Sequence, residues 1–194
     1  MSRPKRICVF CGSQPGATPA FGALADAVGR GIAGRGWGLV YGGAKSGTMG
    51  RVADAALAGE APVYGVIPDR LQQKEIAHPG LSELFVVESM HARKAMMAHL
   101  SDAFLVLPGG WGTLEEAFEV ITWNQLGYHR KPLVFLGPGG FWDGLLAHAQ
   151  TAYASGFLTD VTRELLVHHT EVDAALDHLS EAELPEVTRW IDSP

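Results

Sequence analysis

The chain has 194 residues, of which 47% are hydrophobic and 19% charged, and its formal net charge is −6. This length suits one domain with a sizeable core, and the balance of apolar and charged residues excludes a disordered polymer. No run of about 18 apolar residues occurs, so no membrane span is expected, and the acidic balance argues against broad nucleic-acid binding, which needs clustered Lys and Arg.

In chain order, the basic start Met1-Ser2-Arg3-Pro4-Lys5-Arg6 leads into an apolar run, Ile7–Cys11. That run is too short for the core of a signal peptide, so a cytoplasmic location is expected. Short Val/Ile/Leu/Phe runs predict strands over Ile7–Cys11, Leu39–Tyr41, Val63–Ile67, Leu84–Val87, Phe104–Leu107 and Leu133–Leu136, with a seventh over Leu165–His168. Between them the pattern predicts helices over Phe21–Ala33, Gly47–Leu57, Met90–Leu100, Leu114–Gln125, Phe141–Ala154 and Val172–Leu179. Such alternation implies right-handed βαβ units: an α/β, three-layer fold with a mostly parallel central sheet and helices on both faces. Pro68–Pro79 reads as an irregular loop able to cover a site, and the tail after Pro185 as a peripheral end that Trp190 and Ile191 could dock.

The two cysteines, Cys8 and Cys11, spell C-x-x-C but fall in the first strand-like run. Residues three apart on a strand point to opposite faces, so two ordinary buried thiols are expected rather than a redox or zinc pair. The eight histidines show no H-x-x-x-H or H-E-x-x-H spacing, and no G-x-S-x-G elbow occurs. A dedicated metal site and a serine nucleophile are therefore not expected.

Ligands of open α/β sheets bind at the carboxyl ends of the strands, and here those loops are unusually rich in glycine. The strongest is Pro108-Gly109-Gly110-Trp111-Gly112-Thr113-Leu114-Glu115-Glu116, which follows one strand and opens a helix. Glycines let a ligand approach the backbone, and the helix start supplies unpaired N–H groups and the positive dipole end, a phosphate site to which Thr113 adds a hydroxyl. Thr113-x-x-Glu116 equally matches a capping box, in which Glu116 only satisfies a backbone N–H, and two carboxylates at a helix start also suit the dipole. A second cluster, Tyr41–Gly50, matches neither the P-loop nor the dinucleotide fingerprint. Ser13, in the turn after the first strand, is placed to bond a ligand or to cap that turn. In Ser89-Met90-His91-Ala92-Arg93-Lys94, two cations open a helix, against its dipole, which points to an anion nearby; a solvated pair is the plainer alternative. Met96 and Met97 read as core fillers.

Together these segments resemble the Lonely Guy family, cytokinin-activating phosphoribohydrolases often mislabelled lysine decarboxylases. The resemblance rests on P-G-G-x-G-T-x-E-E at Pro108–Glu116, M-H-x-R-K at Met90–Lys94, the glycine loop Tyr41–Gly50, Val120-Ile121-Thr122-Trp123 and Cys11-Gly12-Ser13, in order along nearly the whole chain. Ala44 and Thr48 depart from the family's usual glycine and leucine. The resemblance implies a Rossmann-like, nucleotide-binding domain spanning residues 1–194 and a homodimer. It also implies hydrolysis of a cytokinin riboside 5′-monophosphate, or AMP, to free base and ribose 5-phosphate. By matched position Arg93 and Glu116 would be catalytic. Glu75, Lys94, Gly110, Trp111, Gly112, Thr113, Leu114, Glu115, Thr122, Ser13 and Gly43 would line the nucleotide. No cofactor, metal, nucleic-acid partner or membrane is implied. The alternative on the same fold is a non-catalytic carrier of a nucleotide or a phosphorylated pterin. Decarboxylation would need a Schiff-base lysine, for which Lys45, Lys74, Lys94 and Lys131 are the internal candidates.

Overall fold

Seven strands pair in the order β4-β3-β2-β1-β5-β6-β7, every neighbour parallel. The computed structural model describes residues 5–72 and 77–182. The strands are β1 (Arg6–Phe10), β2 (Gly38–Tyr41), β3 (Val63–Pro68), β4 (Glu83–Val87), β5 (Ala103–Val106), β6 (Leu133–Leu136) and β7 (Val167–His169). The helices are α1 (Pro19–Gly34), α2 (Gly47–Ala58), α3 (Asp69–Gln72), α4 (Met90–Leu100), α5 (Trp111–Gln125), α6 (Asp143–Ala154), α7 (Asp160–Arg163) and α8 (Val172–Glu181).

Helices cover both faces because β1, β2, β5 and β6 are apolar on both sides. Ile7, Val9 and Cys11 pack with α1, α2 and α8, whereas Cys8 and Phe10 pack with α4 and α5. The two cysteines are thus free, buried and on opposite faces, as the strand reading expects. Burial raises both thiols, Cys11 to about 12, which keeps them protonated and inert.

The predicted elements recur with shifted ends. The seventh strand begins at Val167 rather than Leu165, because a capping box at Thr159 nucleates the short α7 and the buried Leu165 continues from it. The loop expected over Pro68–Pro79 starts with one helical turn, Asp69–Gln72. Trp190 and Ile191 lie outside the described residues. Among those residues no helix is long and apolar enough to cross a membrane.

The chain runs outward from β1 to β4, then returns to place β5 beside β1. Crossovers leave in opposite directions at that junction, so a crevice opens beyond the carboxyl ends of β1 and β5. The β1–β5 register, Phe10 opposite Val106, carries Cys11-Gly12-Ser13 and Pro108-Gly109-Gly110 out side by side.

Candidate active site

Both glycine turns run from a strand into a helix, but only one leaves that helix start open. At α2, Gly12 O accepts from Thr48 N, Met49 N and Thr48 Oγ1, at 3.1, 3.3 and 3.0 Å. A protein carbonyl therefore occupies that N-terminus. At α5 the N-cap is Gly110, which has no side chain to cap with. The first backbone bond is from Leu114 N to Gly110 O, at 3.2 Å, so the amides of Trp111, Gly112 and Thr113 have no partner inside the helix. A Cβ at Gly110 or Gly112 would meet nothing, so that side is open space. This open, positive end of a 15-residue helix is suited to hold an anion.

The capping-box alternative does not form. Helix α5 starts at Trp111, three residues before the expected Leu114, so Thr113 is already inside it and Glu115 and Glu116 lie in its second turn. No acidic residue occupies the first turn, and neither glutamate is there to satisfy the dipole.

A cavity of about 250 Å³ sits over this helix start and is lined by Cys11, Gly12, Ser13, Met49, Met90, Arg93, Gly110, Trp111, Gly112, Thr113, Glu115 and Glu116. Arg93 and Glu116 therefore share one cavity, reached from α4 and α5 across the crevice. Of the other residues named from the family motif, Ser13, Gly110, Trp111, Gly112, Thr113 and Glu115 line it as well. Lys94, Leu114, Thr122 and Gly43 do not: Leu114 packs against the core, Thr122 Oγ1 donates to Phe118 O at 2.7 Å, and Gly43 is buried against Leu84 and Ile67. Glu75 lies outside the described residues. Met49, Met90, Cys11 and Gly12 line the cavity without having been assigned a role; Cys11 and Gly12 follow a strand end and Met49 and Met90 open helices, which was the available signal.

Arg93 is buried, and its charge is held by backbone. Nε donates to Val66 O at 3.1 Å and Nη2 to Gly42 O at 3.0 Å. The second glycine cluster builds this seat, since a Cβ on Gly42 would overlap Arg93 Nη2. Among the described residues no carboxylate forms an ion pair with Arg93, so its remaining donors can serve an anion in the cavity.

Lys94 turns the other way. It is buried and ion-pairs with Glu115 and with Glu119, the latter at 3.0 Å. The anion that two cations at the start of α4 called for is thus, for Lys94, supplied by α5. Ser89 caps α4 by accepting from Ala92 N at 3.1 Å.

Glu116 sits between opposing influences. Arg93 does favour its ionised form, but burial outweighs Arg93, and Glu115 and Glu119 add like charge, so its pKa is pushed up to about 7. A carboxyl poised near neutrality beside a buried guanidinium and an open helix start is equipped to meet positive charge on a phosphorylated sugar.

Residues 49–179 match the family model described as "Possible lysine decarboxylase". The chain is 47% identical over 174 residues to a cytokinin riboside 5′-monophosphate phosphoribohydrolase of Rhodococcoides fascians, covering 89% of this chain and 88% of that one. It is 44% identical over 182 residues to cytokinin riboside 5′-monophosphate phosphoribohydrolase LOG7 of Arabidopsis thaliana, covering 94% and 84%. Among solved structures, the molybdenum cofactor binding protein of Rippkaea orientalis superposes with a TM-score of 0.70 at 23% identity, covering 93% of this chain and 98% of that one. The molybdenum cofactor carrier protein of Chlamydomonas reinhardtii follows at 0.68 and 20%, covering 92% and 97%. The last two likenesses establish the Rossmann-like fold alone, whereas the first three place the chain in the Lonely Guy family of phosphoribohydrolases.

Proposed function

We propose that the chain hydrolyses the N-glycosidic bond of a cytokinin riboside 5′-monophosphate, or of AMP, giving free base and ribose 5-phosphate. The observation that carries this reading is the meeting of three groups in one cavity: the uncapped start of α5, the backbone-held guanidinium of Arg93, and Glu116. Relatives at 44–47% identity bear that activity in their names. The carrier alternative rests on fold likeness at 20–23% identity. For decarboxylation, no lysine lines the cavity among the described residues: Lys94 is ion-paired to α5, and Lys131 Nζ donates to Ala98 O at 2.6 Å.

The chemistry follows from the geometry. The amides of Trp111, Gly112 and Thr113, with the Thr113 hydroxyl, hold the 5′-phosphate. That places the ribose between α5 and α4. As the bond from C1′ to the base nitrogen lengthens, positive charge builds on the ring, and ionised Glu116 stabilises it or orients the attacking water. Water oxygen bonds to C1′, and the departing base takes up a proton. Arg93 holds the anionic end and favours the carboxylate form of Glu116.

Turnover of a panel of nucleoside 5′-monophosphates, with the matching nucleosides as controls and free base as readout, tests this. The monophosphates should release base. The nucleosides should lose roughly a hundredfold in kcat/KM, as expected for one or two charge-assisted bonds to phosphate. Binding without release of base would instead favour the carrier.

We further infer a homodimer. Trp111, Glu115, Phe118 and Thr122 fall on one stripe of α5, where Trp111 is 88% and Phe118 41% exposed, and Met90 stands beside the cavity mouth at 42%. A second copy on this face would shelter the mouth. Light scattering should give twice the chain mass, and Phe118→Glu should halve it; a monomeric wild type would discard the idea.

A further inference from the structure

The charged groups facing Glu116 come from two helices: Arg93 and Lys94 from α4, and Glu115 and Glu119 from α5. The thiols of Cys8 and Cys11 lie within reach of its charge from the β1 side. Arg93, Lys94 and Glu115 all act on Glu116, so the link from Lys94 to Glu115 lies close to the Arg93 and Glu116 pair. Glu119 lies one turn further along α5. Its carboxylate, with the side chain 24% exposed, meets Lys94 Nζ at 3.0 Å, while the Lys94 side chain is 6% exposed. A buried ammonium held from two successive turns of one helix fixes rotation as well as distance between α4 and α5.

We propose that Glu119 is a positioning residue: with Glu115 it clamps Lys94, and the clamp sets the separation of Arg93 and Glu116. The clamp accounts for a lysine that the family motif places among nucleotide contacts but that the structure turns away from the cavity. Glu119 also supplies part of the negative charge that keeps Glu116 partly protonated near neutrality. The proposal rests on the hydrolase reading for its consequence in rate.

Two substitutions in the full chain, Glu119→Gln and Glu119→Asp, decide it. Glu119→Gln should lower kcat on AMP by about ten- to a hundredfold, the scale of a small misplacement of reacting groups, with KM nearly unchanged. The titration midpoint of Glu116, followed by carbon-13 NMR, should move up in Glu119→Gln, because the broken clamp lets Arg93, which lowers it more than Glu119 raises it, draw away; a move down would be the bare loss of a like charge and would overturn the clamp. Glu119→Asp keeps the charge, so it should leave the midpoint in place and recover part of kcat. A Glu119→Gln protein with wild-type kcat and midpoint overturns the proposal. So does one whose kcat falls only in step with its folded fraction while the midpoint stays put. A wild type that releases no base from any nucleotide defeats the hydrolase reading instead, and the NMR midpoint still judges the clamp.

Discussion

Glu116→Gln is expected to lower kcat by roughly a hundredfold or more while leaving substrate affinity much less affected, the range for a lost electrostatic contact in a preorganised site. The amide keeps the shape of the side chain and removes the charge that meets the developing cation. The same substitution should stabilise the fold at neutral pH. Burial raises the Glu116 pKa from 4.5 to about 7, so the folded protein disfavours the carboxylate that the unfolded chain accepts freely. Below the unfolded value both states are protonated and there is no cost. The cost then grows as pH rises toward about 7 and is complete above it. Glutamine escapes it, so the variant should gain on the order of 1–3 kcal/mol at pH 8 and nothing near pH 4. Thermal melts at those two pH values check the sign. In the wild type, kcat/KM should rise through a midpoint near 7, as Glu116 ionises. The substrate phosphate titrates near about pH 6, a unit lower, and its step should persist in Glu116→Gln. Near-normal turnover in that variant would remove Glu116 from the mechanism, and equal melting gains at both pH values would remove burial as the cause.

How far the sequence alone reaches can be judged from particular residues. Continuous apolar runs such as Leu133–Leu136 and the alternation of Cys8 and Cys11 announce a sheet covered on both faces, because strand periodicity is local. The conflict of Arg93 and Lys94 with the dipole of α4 announces an anion, and the anion is there for Lys94, one helix away. Three features depend on contacts distant in sequence. Which of the two glycine turns keeps an open helix start is decided by Gly12 O, which captures the amides of α2 from 36 residues away. The start of α5 is hidden by Gly110 and Gly112, whose low helix propensity suggests a later beginning and so lends the Thr113–Glu116 capping box a plausibility that the fold removes. The net shift of Glu116 depends on how deeply the crevice buries it, and burial depth is a property of the assembled layers rather than of the motif.

Arg93→Met tests the other half of the site and should be as damaging as the loss of Glu116. The guanidinium commits donors to Val66 O and Gly42 O and turns the rest toward the cavity. Methionine has a comparable stem but takes the guanidinium donors away from two buried carbonyls, so stability should fall by roughly 1–3 kcal/mol. It also removes the charge that holds an anionic substrate, and kcat/KM on AMP should drop by about 10²–10³-fold. Because Arg93 is the largest influence pulling the Glu116 pKa down, its removal should push the midpoint of the pH–rate profile upward. Arg93→Lys keeps the charge but not the planar fork, so it should hold the midpoint while recovering only part of the rate. Gly42→Ala offers an independent route to the same effect, since the added Cβ displaces Nη2 without removing the arginine. It should lower kcat/KM in the same direction and by less, in a protein that still folds. If Arg93→Met retained wild-type kcat/KM while Glu116→Gln lost it, the guanidinium would be a brace for the ends of β2 and β3 and nothing more. The anion site would then reduce to the open start of α5.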